Sequence, residues 1–70
     1  MERQMTTQTY TCRRFQSVGA FEYSADFAQA ASGIKVRFEG QDDWQPVPFQ
    51  VADCQHDRAT AERKIAEYFK

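Results

Sequence analysis

The chain has 70 residues, 41% hydrophobic and 27% charged, with 9 basic against 10 acidic side chains and a net charge of −1. That length allows one domain and no second, and the balance of apolar and charged residues is that of a folded protein, not a disordered tail. The near-zero charge argues against a general electrostatic grip on nucleic acid or an anionic membrane, and no run of about 20 apolar residues is present to span a bilayer.

Residues 1–5 are polar and read as a frayed end, which leaves 6–70 as the domain. Residues 6–15 are rich in Thr, Tyr and Phe and suit a strand. Alternation puts Tyr10, Cys12 and Arg14 on one face and Thr9, Thr11, Arg13 and Phe15 on the other. Neither face is cleanly apolar, which predicts irregular burial or a bulge near 13–15. Residues 16–20, with Gly19, form a turn.

Residues 21–33 support two readings. Phe21, Tyr23, Ala25 and Phe27 alternate as in a strand. Against this, Ser24 is a good N-cap, Ala25, Ala28, Ala30 and Ala31 are strong helix formers, and Gly33 stands where a helix-ending glycine belongs. The expectation is a short strand at 21–23 running into a helix over 25–32, with Phe27, Ala30, Ala31 and Ile34 buried.

Residues 34–39 form a strand with Ile34, Val36 and Phe38 inward and Lys35, Arg37 and Glu39 outward. A turn at 40–43 leads to a strand over 44–52, where Val47, Phe49 and Val51 face inward. Pro46 and Pro48 lack N–H donors, so this strand belongs at a sheet edge, paired with 34–39 as a hairpin. The last element is a helix N-capped by Asp57. Its apolar face is Ala61, Ile65, Tyr68 and Phe69, while Arg58, Glu62, Arg63, Lys64, Glu67 and Lys70 point to water. The predicted fold is a two-layer α+β domain. It has a three- or four-stranded antiparallel sheet, with the C-terminal helix and the short helix near 25–32 on one face.

The apolar residues are unusual: no Leu, two Ile and four Val, but six Phe, three Tyr and one Trp. The core is therefore aromatic, with Ala as the small partner, and a domain of this size has a net stability of only a few kcal/mol. Two cysteines far apart, with no apolar leader at the start, indicate a cytoplasmic protein with reduced thiols and no membrane anchor.

Catalytic, cofactor and metal roles find little support. Cys54, His56 and Asp57 are ligand types, and Cys12 adds a fourth, but the paired spacing of a zinc site is missing. A Cys54–His56 nucleophile pair lacks an orienting third group and an oxyanion site. The chain reads as a non-enzymatic accessory module that binds another protein or itself as a homodimer. Its surplus aromatics Trp44, Phe49, Tyr68 and Phe69 are the contact candidates. The alternative is a nucleic-acid-binding sheet face built on Arg13, Arg14, Lys35 and Arg37.

Overall fold

Phe21, Tyr23 and Ala25 alternate with Glu22 and Ser24, and that period of two makes an inner strand of the sheet. In the computed structural model, which describes residues 7–70, four strands follow in chain order. They are β1 Gln8–Cys12, β2 Phe21–Ala25, β3 Gly33–Phe38 and β4 Gln45–Gln50, paired antiparallel in the order β1-β2-β3-β4. A 3-10 turn, Val51–Cys54, leads to a single helix α1, Arg58–Phe69, which covers one face. The α+β two-layer architecture follows the expectation. The predicted frayed end, residues 1–5, lies outside the described residues.

The core is Phe21, Tyr23 and Ala25 from β2, Ile34 and Val36 from β3, Val47 from β4, and Ala61 and Ile65 from α1. Cys12, Val51 and Cys54 complete it, and Tyr10, Phe15, Phe27, Phe38, Phe49 and Phe69 rim it. Large rings with alanine between them thus replace the missing leucines. The hairpin turns close at Gly19 and Gly40, whose positive φ angles of 82° and 88° suit a residue without Cβ.

The predicted helix over 25–32 does not form. β2 runs on to Ala25, and residues 26–32 make two successive turns. The reason is local competition for hydrogen bonds. The Asp26 carboxylate accepts from the Ala28 N–H at 3.0 Å, and the Asp26 N–H donates to Ser32 Oγ at 3.0 Å. The Ala30 and Ser32 carbonyls are taken by the N–H groups of Ala52 and Val51, so the loop is tied to the start of the 3-10 turn. Ala28, Ala30 and Ala31 are exposed, and only Phe27 of this segment reaches the core rim.

Three smaller corrections concern strand ends and helix faces. β1 stops at Cys12, and Arg14 turns to the helix side. β4 ends at Gln50, where the Gln50 N–H donates to Asp53 Oδ2 at 2.9 Å, so Val51 is buried from the 3-10 turn. On α1 the buried residues are Ala61, Glu62, Ile65 and Ala66; Glu62 does not point to water, and Tyr68 is exposed. Asp57 is the helix N-cap, accepting from the Thr60 N–H at 3.0 Å.

As its prolines require, β4 is an edge strand. Its register against β3 slips: Val36 faces Gln45 and Lys35 faces Pro46, but Gly33 faces Gln50. Both prolines are exposed, and Pro48 falls inside the slip. No helix among the described residues is long and apolar enough to cross a membrane.

Candidate interaction site

The sheet and helix bring three of the four aromatic contact candidates together. Starting in the core, the Phe21 ring lies 5.6 Å from Phe38, and Phe38 lies 5.0 Å from Phe69 at the end of α1. Phe69 meets Tyr68 edge-on at 4.9 Å, and Tyr68 meets Phe49 of β4 edge-on at 6.3 Å. Within the row, exposure ranges from 1% at Phe21 to 53% at Tyr68. Lys64 holds its ammonium 5.4 Å from the Phe49 ring, placing a cation at the margin of the patch.

Trp44, the fourth candidate, is elsewhere. It precedes β4, is 37% exposed, and carries the Arg37 guanidinium over its ring at 4.7 Å. Arg37 alternates with buried Val36, so this stack lies on the sheet face away from α1.

That open face has two cross-strand rows. Thr11, Glu22 and Arg37 are level with one another, and Thr9, Ser24, Lys35 and Pro46 form the second row. Arg37 donates from Nη2 and Nε to one Glu22 oxygen at 2.6 and 3.2 Å. Arg13 and Arg37 line one shallow cavity of about 430 Å³, together with Glu22, Glu39 and Asp42. Lys35 lines a separate depression with Asp26. Arg14 is on the helix side, bonded to Glu62. Of the four basic candidates, only Arg13 and Arg37 therefore share a site, and three carboxylates share it with them.

A polar cluster escaped the sequence reading. Glu62 is only 7% exposed on the sheet side of α1. It accepts from the Tyr23 hydroxyl at 2.5 Å and from Arg14 Nη2 at 3.1 Å. Arg58 donates from Nε to the Tyr23 oxygen at 3.3 Å, and its guanidinium stacks 4.2 Å over Tyr10. Burial holds the Tyr23 hydroxyl well above the ordinary tyrosine range. Burial also pushes the Cys12 thiol up, and the neighbouring Glu62 carboxylate adds to the effect. The Tyr23 phenol and the Arg14 guanidinium on one carboxylate make a clamp between helix and sheet.

The Cys54, His56 and Asp57 residues each have a separate local role. Cys54 is buried, with its thiol raised by burial. His56 Nδ1–H donates to the Phe27 carbonyl at 2.8 Å, and Asp57 caps α1. Among the described residues no three His, Cys, Asp or Glu side chains come together as a metal site. Compared with protein-family models, curated proteins and solved structures, the chain matches none.

Proposed function

We propose that this protein is a non-enzymatic interaction module. It binds another protein through the aromatic surface of Phe49, Tyr68 and Phe69 at the C-terminal end of α1. The observation that carries this reading is the exposed Tyr68 ring held edge-on between Phe49 and Phe69. A large ring fixed in place before binding loses little side-chain freedom on contact, and Tyr is a frequent anchor of interfaces. Lys64 beside the patch favours a partner with a carboxylate at the rim. The two free cysteines support action in a reducing compartment such as the cytoplasm.

The alternative, nucleic-acid binding at the basic residues, has less behind it. Arg14 and Arg37 are already paired with Glu62 and Glu22, and Arg13 shares its cavity with three carboxylates.

The test is site-specific photo-cross-linking from position 68 in the native host, repeated from the exposed position 28. Adducts to one protein from position 68 alone, weakened in a Lys64→Glu background that keeps its unfolding midpoint, are the expected result. Equal cross-linking from both positions would count against the patch.

A further inference from the structure

The sheet has two edges, and they differ in chemistry. β4 carries Pro46 and Pro48 and a slipped register, so an approaching strand meets missing donors and a broken ladder. β1 carries no such guard. From Thr7 to Cys12 the chain has no proline, no glycine and no charge, and its Thr and Tyr residues favour extended backbone. Thr7, Gln8, Thr9 and Thr11 are exposed. Among the described residues, no backbone group outside β2 bonds to the backbone of Gln8–Cys12. Alternate N–H and C=O groups along this edge thus have no partner among the described residues.

We propose that β1 is a dimerisation edge: two copies of this chain pair β1 to β1, antiparallel about a two-fold axis, and join their sheets into one.

Three features select a second copy as the occupant. The strand is uncharged, so identical strands meet without repulsion, and the net charge of −1 adds little between copies. An antiparallel arrangement sends Arg13 and Arg14 of the two copies to opposite ends of the joint, whereas a parallel one sets them side by side. The blocked β4 edge prevents head-to-tail growth, so self-pairing closes at two copies. A five-residue ladder is short beside the ~1,200–2,000 Å² of a standard interface, so the dimer is a weak one that forms and dissociates with concentration.

The test measures mass by sedimentation equilibrium, and backbone amide exchange by NMR, from micromolar to millimolar protein. The expected result is a monomer–dimer equilibrium in which alternate amides of Gln8–Cys12 exchange more slowly as concentration rises. A Thr9→Lys/Thr11→Lys variant, altered only at exposed positions, should keep its unfolding midpoint in dilute solution and dimerise at least tenfold more weakly. Three outcomes overturn the proposal: a monomer at every concentration, a dimer whose β1 amides exchange at a concentration-independent rate, or a double variant that dimerises like wild type. Tyr68→Ala separates the two surfaces. It should leave the dimer intact, and loss of the dimer there would assign self-association to the aromatic patch.

Discussion

The Tyr23 hydroxyl donates to Glu62 Oε2 across 2.5 Å, joining the inner strand β2 to the middle of the only α-helix among the described residues. The other Glu62 oxygen accepts from Arg14, just past the end of β1, so one carboxylate holds two strands' worth of chain against α1. Nothing buried in this network lacks a hydrogen-bond partner. That completeness makes it expensive to disturb.

Removing the carboxylate should therefore cost more than removing the phenol. Glu62→Ala leaves the Tyr23 hydroxyl and Arg14 without their acceptor and should lower stability by about 2–3 kcal/mol. Tyr23→Phe leaves Glu62 with its arginines and should cost about 1 kcal/mol. Urea unfolding of the two single variants and the double variant measures this, and the two losses should not add. Equal, additive losses would mean the groups act independently.

Alkaline pH should weaken the fold. Burial raises the Tyr23 hydroxyl above its ordinary 10.0 and raises the Cys12 and Cys54 thiols above 9.0. The folded state thus holds these protons more tightly than the unfolded state. Their contribution is complete below pH 9.0 and is lost as the pH rises above it. The urea midpoint followed upward from pH 7 should fall above that point, and Tyr23→Phe with Cys12→Ala should flatten the decline. An unchanged slope in that variant would assign the alkaline loss to other groups.

Acid acts on the helix cap. Bonds from the Thr60 hydroxyl and N–H hold the Asp57 carboxyl below its ordinary value of 3.8. The stabilisation this brings is present above pH 3.8 and disappears as the pH falls through the lower folded value. Asp57→Ala should lower the thermal midpoint at neutral pH, with the gap to wild type closing in acid. Asp57→Asn retains an acceptor but not the charge, and should fall between wild type and Asp57→Ala at neutral pH. A gap for Asp57→Ala that persists unchanged in acid would show that the cap does not depend on charge.

Tyr68 and Phe69 should separate cleanly despite being neighbours. Phe69 is half-buried against Phe38, so Phe69→Ala should cost about 2 kcal/mol, roughly half the loss for a fully buried ring. Tyr68→Ala should change stability by no more than about 0.5 kcal/mol. Circular dichroism melts of the two variants decide it, and a large loss at Tyr68 would place that ring in the core.

Much of the architecture was legible because single residues carry unambiguous signals. Ile34, Val36 and Phe38 alternate cleanly; Pro46 and Pro48 exclude an inner strand; Asp57 stands before a helical period. The segment 25–32 misled because alanine propensity is weak beside the bonds that Asp26 and Ser32 make to nearby backbone. Its carbonyls are also claimed by Val51 and Ala52, a contact no local pattern encodes. Glu62 misled for the same kind of reason. It sits beside Ala61 at the margin of the apolar stripe, and its partners lie 39 and 48 residues away. Of the contact candidates, Phe49, Tyr68 and Phe69 converge, while Trp44 is held apart on the other sheet face by Arg37.

The meander also sets an order of assembly. Each strand pairs only with its neighbour in sequence, so the sheet zips through short loop closures that cost little chain entropy. Docking α1 back onto β2 and the end of β1 closes the longest loops and comes at the end. The Glu62 clamp then acts chiefly as a brake on unfolding: its loss should speed the unfolding limb of a chevron plot and leave the refolding limb nearly untouched.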